Sequence, residues 1–299
     1  MRILDISKAF RPKTSHVYPP FKKGRYLEEY MYEYLLTHDI QTDRVYIPVF
    51  WTNMQNHPGF NKEKYNLLLQ FAIQKLPSTT NYFTIVQHDD GPQLTLPRNT
   101  LVFGACSGTV PLPLLYEDTD GTLLNTPRTE KTILASFVGQ LTHPIRRALF
   151  HAIKDEPNIV CHAKEGWTVN VSDDAAALFV RETLAAKFCL APRGYGRSSF
   201  RFFEAMQLGT VPVYVWDDKE WLPYQDELDY SQFSVSIHQG DIQNLACRLR
   251  SIRKEEYEKM KENLTKVQHW FTLEGMASYI ARYLQRNATL APILEDASE

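Results

Sequence analysis

Short apolar runs alternate with stretches of helical periodicity along nearly the whole chain, and this alternation most limits the possible folds. YFTIVQ (82–87), TLVFG (100–104), TILASFVG (132–139), NIVCH (158–162), FCL (188–190), VPVYVW (211–216) and FSVSI (233–237) read as buried strands. Between them, apolar residues recur at helical spacing. Examples are Tyr26, Leu27, Tyr30, Met31, Tyr34 and Leu35, then Tyr65, Leu68, Leu69, Ala72 and Leu76. Strands separated by helices call for crossover connections and a parallel sheet. DRVYIPVF (43–50) joins the series, with Pro48 marking a strand end or an edge. Residues 1–20, which contain Pro12, Pro19 and Pro20, read as irregular.

The series is interrupted once. YEDTDGTLLNTPRTEK (116–131) is polar and rich in turn residues. The expected units are therefore 1–125, 126–270, and a C-terminal helix with a loose tail over 271–299. In the second unit a helix runs from Pro144 to about residue 154, where Pro suits the first turn. Ser172 or Asp173 caps another through about residue 186. Further stripes lie at 242–252, 257–267 and 276–284. Two α/β halves imply a cleft, and ligands of such folds sit at the carboxyl ends of the strands.

Composition excludes some classes. The 299 residues are 43% hydrophobic and 23% charged, enough to bury real cores. A net charge of -2 argues against a sequence-independent nucleic-acid binder. No run approaches the ~20 apolar residues of a membrane span. Cys106, Cys161, Cys189 and Cys247 are far apart and lack metal-ligand spacing, so they read as reduced thiols.

KFCLAPRGYGRSSFRFFEAMQLGTVPVYVWDD (187–218) is a strand–loop–helix–strand unit. Its helix starts near Ser198 or Ser199 and stops at Gly209. A helix N-terminus at the carboxyl edge of a sheet is an anion seat. Ser198 and Ser199 can cap that helix or bind a ligand oxygen. Arg193 and Arg201 offer forked donors to phosphate, Gly194 opens the loop, and Glu204 suits a vicinal diol such as ribose. Each residue alone also has a structural reading, as a cap or as a surface i, i+3 pair. There is no Walker loop and no G-x-G-x-x-G.

These motifs resemble the exostosin-type glycosyltransferases of family 47. FCLAPRG (188–194), SSFRFFEA (198–205), Gly209 with Pro212-Val213, LPYQDELDYSQFSV (222–235) and SFVGQLTHPIRRALF (136–150) carry the resemblance. DRVYIPVF (43–50) and YFTIVQHDDG (82–91) fit it in the first half, so it covers roughly residues 20–250. The resemblance implies an α/β, GT-B architecture: two Rossmann-like domains facing across a cleft, with C-terminal helices. The acceptor side is 1–125, and the nucleotide-sugar side is 126–270. It implies an inverting transfer of a sugar from a UDP-sugar to a saccharide hydroxyl, with no cofactor and no essential metal. The alternative is a non-catalytic nucleotide- or carbohydrate-binding protein on the same scaffold. Xylose is favoured among the family's donors.

The expected donor site comprises Gly139, Arg146, Arg193, Gly194, Ser198, Ser199, Arg201 and Glu204. Arg146 or Arg147 neutralises the departing diphosphate, with Arg146 favoured. The base should lie across the cleft, where His88, Asp89 and Asp90 follow a strand. Asp89 is the first choice and His88 the second; Glu28 and Glu29 are outsiders. Asp118-Thr119-Asp120 has the form of a metal-binding D-x-D but reads as a solvated loop. Trp51, Tyr82 and Trp216 offer stacking faces to a saccharide. The N-terminus, without the apolar core of a secretory signal, points to a cytoplasmic setting, a viral protein in host cytoplasm being one form of it and a trimmed Golgi luminal domain the alternative.

Overall fold

The computed structural model describes residues 1–13, 24–56, 62–118, 121–166, 168 and 171–288. The first half is a parallel sheet of β1 (Arg2–Ile3), β2 (Val45–Tyr46), β3 (Tyr82–Val86), β4 (Thr100–Gly104) and β5 (Val110–Pro111), in spatial order β1-β2-β3-β4-β5. The helices α1 (Leu27–Thr37), α2 (Trp51–Asn56) and α3 (Lys62–Gln74) connect its strands. One detail differs from the sequence reading, and one follows it. The sheet begins at residue 2, inside the stretch read as irregular. The second strand ends at Tyr46, because Pro48 has no N–H to continue the ladder. In α3 the buried residues are Leu69 and Ile73, whereas Leu67, Leu68 and Phe71 are exposed.

After a short α4 (Thr122–Asn125), the second half is also parallel. Its elements are β6 (Ile133–Gln140), α5 (Pro144–Ile153), β7 (Ile159–Lys164), α6 (Asp173–Ala185), β8 (Ala186–Pro192), α7 (Phe200–Gln207), β9 (Val211–Trp216) and β10 (Val235–His238). The order is β10-β9-β8-β6-β7. Local signals explain the helices. Pro144 opens α5, and Ile145, Leu149 and Ile153 form its buried stripe. The Ser172 hydroxyl accepts from Ala175 N–H at 3.2 Å to cap α6. Gly209, at φ +67°, ends α7 in the left-handed region.

The last helices, α8 (Leu245–Ser251), α9 (Lys254–Val267) and α10 (Leu273–Ala288), follow β10. Helix α10 returns to the first half. Its Met276, Ile280 and Leu284 share one core with Leu27, Met31, Phe83 and Phe103, and with Phe202 and Tyr214 of the second half. The Phe103 and Tyr283 rings meet edge to face at 5.4 Å. The fold is thus two Rossmann-like units in the GT-B manner, joined by a common apolar core. The four cysteines are free thiols. The part of the expected loose tail from 289, and Thr119 and Asp120 of the D-x-D, lie outside the described residues.

One buried carboxyl ties the carboxyl end of the first sheet together. Glu28 is fully buried in α1. Its Oε1 accepts from Thr52 N–H at 3.0 Å, Thr52 Oγ1–H at 2.7 Å and Gln87 N–H at 3.1 Å. Burial raises its pKa. The fold therefore favours the protonated form, and the resulting stability is present below the unfolded pKa and lost as pH rises through the folded value. Glu28→Ala leaves three donors without an acceptor and should cost about 3 kcal/mol in urea unfolding. Glu28→Gln keeps the acceptor and should lose less, and it should flatten the decline of stability with rising pH.

Candidate functional site

In the second sheet β6 has β7 on one side and β8 on the other, so successive connections diverge between β6 and β8. This is the topological switch point, where α/β sheets leave a crevice. Arg146, in the first turn of α5, fills its floor. It donates from Nη1 to Gln140 O at 3.0 Å, from Nε to Arg193 O at 2.9 Å and from Nη2 to Pro192 O at 3.3 Å. The ends of β6 and β8 are thereby held by one guanidinium. Gly139 and Gly194 flank it: a Cβ would lie 3.9 Å from Nη1 at the first and 3.3 Å from Nη2 at the second. Arg146 makes no ion pair among the described residues. Burial, with the nearby positive charge of Arg201, lowers its pKa to about 10, so it still carries its charge at neutral pH.

The helix expected as an anion seat is α7. Ser198 and Ser199 precede it, 4% and 3% exposed. Ser199 is the N-cap residue but makes no side-chain cap, and its buried Oγ has no hydrogen-bond partner. Buried polar atoms without partners are rare in native interiors. The Ser199 hydroxyl therefore lies free beside the first N–H groups of α7.

The other two arginines are paired. Arg193, expected to fork onto phosphate, instead sends Nη1 to Asp217 Oδ1 at 2.6 Å and to Asp218 Oδ1 at 2.7 Å, and Nη2 to Tyr195 O at 2.7 Å. Its fork is filled from within the chain, and it shapes the 193–199 loop. Arg201 donates from Nη1 to Glu204 Oε2 at 2.5 Å and from Nε to Val138 O at 3.2 Å, and it lies 4.2 Å over the Phe179 ring. Tyr116 OH donates to Glu204 Oε1 at 3.0 Å. The expected phosphate and ribose ligands of this helix thus form one buried pair, with a tyrosine from the linker.

The base trio faces this loop. His88, Asp89 and Asp90 leave the carboxyl end of β3 through a turn in which Gly91, at φ +69°, donates its N–H to His88 O at 3.0 Å. Asp89 points at the second half. A Cβ on Gly196 would sit 2.2 Å from Asp89 Oδ1 and 2.6 Å from Cys106 Sγ. Asp89 and Cys106 thus converge on the backbone of Gly196. Burial raises the Asp89 pKa, against the opposing pull of Cys106, His88 and Arg193. Asp90 lies near the exposed Tyr195 and raises the pKa of its hydroxyl. Trp221 Nε1–H adds a bond across the halves, to Gly104 O at 3.3 Å. The carboxyl edges of the two sheets therefore meet here.

Other expected residues fall elsewhere. Arg147 is exposed and bonds Glu165 Oε1 on the solvent side of α5. Trp51 and Tyr82 are 1% and 2% exposed and belong to the core, so neither offers a stacking face. Trp216 is only partly buried, and its Nε1–H donates to Ser236 Oγ at 2.9 Å. An apolar cavity of about 830 Å³ between Leu123 and α6, and a polar one of about 910 Å³ beside α8 and α9, are lined by neither Arg146, Ser199 nor Asp89. Sequence reasoning missed Cys106, Tyr116, Tyr195, Asp217 and Asp218. Cys106 and Asp217 stand just after β4 and β9, so the strand-end rule could have found them. Gly196→Ala must push the halves apart, because its Cβ meets a carboxylate held in place; thermal unfolding should show a loss of about 1–3 kcal/mol.

A model of the exostosin GT47 domain matches residues 107–252. A "probable glycosyltransferase" of Arabidopsis thaliana is 32% identical over 148 residues, 49% of this chain and 27% of that protein. Exostosin-1 of Drosophila melanogaster is 30% identical over 147 residues, 44% of this chain and 19% of that protein. A "probable glucuronosyltransferase 47 A" of Physcomitrium patens is 28% identical over 147 residues, 45% of this chain and 30% of that protein. The chain thus spans less than a third of the length of these relatives. Among solved structures, Anabaena HepE in complex with UDP is 11% identical with a TM-score of 0.42, covering 82% of this chain and 79% of that one. The relatives overturn the expected cytoplasmic setting, since exostosin and GT47 homologues are Golgi-type glycosyltransferases. No helix among the described residues is long and apolar enough to cross a membrane. The motifs and this match agree that residues 107–252 are similar to the exostosin GT47 domain.

Proposed function

We propose that this chain is an inverting, metal-independent glycosyltransferase that moves a sugar from a UDP-sugar to the hydroxyl of a saccharide. The observation that carries the reading is Arg146. It is a guanidinium at the switch point, bonded among the described residues to carbonyl oxygens and to no carboxylate. An anion set over the 193–199 loop would meet this charge, the free Ser199 hydroxyl and the N–H groups of α7 together. A nucleoside diphosphate fits that set. Its ribose would lie toward Glu204, whose two oxygens keep lone pairs beyond the bonds from Arg201 and Tyr116.

Asp89 serves as the base. In the transfer, the acceptor oxygen attacks the anomeric carbon as its proton passes to the Asp89 carboxylate. The bond from that carbon to the diphosphate oxygen breaks, and the electron pair leaves with UDP. Arg146 and α7 stabilise the departing charge. A carboxyl raised above its ordinary pKa by burial is a better proton acceptor than an exposed one. Arg193 and Arg201 organise the loop and the helix. The relatives' names include glucuronate, so a donor panel should hold UDP-glucuronate beside UDP-xylose, UDP-galactose and UDP-arabinose.

Two outcomes are expected. UDP at about a hundred times its Kd should raise Tm by a few degrees in a chain of this size, and Arg146→Lys should lose most of that rise. With the active donor, Asp89→Asn should cut kcat by about a hundredfold or more, while His88→Gln should have a smaller effect. NMR of the product should show an inverted anomeric configuration, and EDTA should leave the rate unchanged. If UDP fails to shift Tm and no donor turns over, the reading falls.

A further inference from the structure

Tyr195 is an aromatic side chain at the meeting of the sheets that the reaction above does not use. It is 67% exposed, and the other large apolar side chains exposed among the described residues, Leu36, Leu67, Leu68, Phe71 and Leu124, lie away on α1, α3 and α4. The Tyr195 backbone is fixed from two sides. Arg193 Nη2 donates to Tyr195 O at 2.7 Å, and the next residue, Gly196, approaches Asp89 and Cys106 so closely that any Cβ would overlap them. Across the seam, the turn after β3 is held as firmly. The buried Gln55 amide uses both arms: Nε2 donates to Gly91 O at 3.1 Å, and Oε1 accepts from Gln93 N–H at 3.2 Å. Asp90 N–H donates to His88 Nδ1 at 3.2 Å. The turn leaves Asp90 and Gln93 exposed, and Gln93 Nε2 donates to Asp90 Oδ2 at 3.3 Å. Asp90 follows Asp89 in the chain and Tyr195 precedes Gly196, so the contact of Asp89 with Gly196 sets the tyrosine and the Asp90–Gln93 pair on one rim. The Asp90 charge is near enough to raise the pKa of the Tyr195 hydroxyl.

We propose that Tyr195, Asp90 and Gln93 form a subsite for the acceptor, and that it takes a neutral pyranose unit of a saccharide. The proposal rests on the reading of the chain as a transferase to a saccharide hydroxyl. A pyranose has an apolar face of axial C–H groups and a rim of hydroxyls. The Tyr195 ring offers a rigid face to the first and carries a polar tip. The Asp90 carboxylate accepts and the Gln93 amide donates, a matched pair for neighbouring sugar hydroxyls. The carboxylates of this turn would repel a uronic acid unit. The guanidiniums of the facing loop do not offset that repulsion, because Arg193 is matched by Asp217 and Asp218, and Arg197 by Asp218. A sugar seated on the ring has its hydroxyls beside Asp89, the group read as base.

The test measures saccharide binding to the whole chain by saturation-transfer NMR, without and with UDP. The probes are xylohexaose, cellohexaose and galactohexaose, with hexagalacturonate as the charged counterpart. At least one neutral probe should bind, and hexagalacturonate should bind more weakly by about tenfold or more. In Tyr195→Ala the Kd of that neutral probe should rise about tenfold through loss of the stacking face. Tyr195→Phe and Tyr195→Trp keep the face and should recover affinity to within about threefold of the parent. Gln93→Ala removes one hydrogen-bonding group and should raise Kd about fivefold. With the active UDP-sugar, Tyr195→Ala should raise KM for the acceptor, while kcat and KM for the donor stay within about twofold. Failure of every neutral probe to bind, tighter binding of hexagalacturonate, or an unchanged Kd in folded Tyr195→Ala overturns the proposal. The two readings also fail separately. A rise in Tm with UDP, together with saccharide binding that ignores Tyr195, sinks only the subsite; binding through Tyr195 with neither a UDP shift nor turnover sinks the transferase and leaves a carbohydrate-binding protein.

Discussion

The grip of Arg146 on three carbonyl oxygens is the interaction on which the site depends. At a switch point two parallel strands end side by side while their connections run apart, so no helix covers the ends directly. The carbonyls of Gln140, Pro192 and Arg193 would stand unpaired there, and buried carbonyls need donors. One planar guanidinium reaches all three. A lysine could not, because its ammonium is a compact point and not a fork. The consequence is a positive charge fixed under the crevice, with the glycine at 194 leaving room for it.

The surrounding charges then divide into two kinds. Arg193 and Arg201 are matched by Asp217, Asp218 and Glu204. The pair of Arg201 with Glu204, whose side chain is 2% exposed, is costly to break, since removing one partner leaves a buried charge unmatched. Together these pairs hold the loop and α7 in place before any ligand arrives. Among the described residues Arg146 makes no ion pair, and the buried Ser199 hydroxyl has no hydrogen-bond partner. A preorganised positive crevice with one unmet charge is what stabilising a leaving diphosphate requires. Across the seam, Glu28 anchors the strand end that leads to Asp89, and the shared core under α10 keeps the two edges in register.

Much of this was legible in the chain before folding. The runs at 82–87, 100–104, 132–139, 188–190 and 211–216 fell where β3, β4, β6, β8 and β9 lie, because continuous apolar strands between helical stripes have few other solutions. The short edge strands β1 and β5 were invisible, as two residues carry no periodicity. On α3 the periodicity placed Leu68 on the buried face, yet only Leu69 and Ile73 are covered, since a stripe of apolar residues does not say which part of it finds a neighbour. In the site, the strand-end rule located Arg193, Ser199, Glu204 and Asp89, but it could not tell a guanidinium awaiting a ligand from one already matched.

The sequence by itself determined the elements, the two sheets and the positions at which ligand chemistry could gather, because hydrophobic period, glycine and proline act through neighbours in the chain. Only the tertiary structure decided which charges cancel. Asp217 and Asp218 stand 24 and 25 residues from Arg193, and Asp89 and Cys106 meet Gly196 from separate elements. Electrostatic and hydrogen-bond partnership depends on distance through space, and that distance is set only when β3, β4, β8 and β9 bring their carboxyl ends to one place.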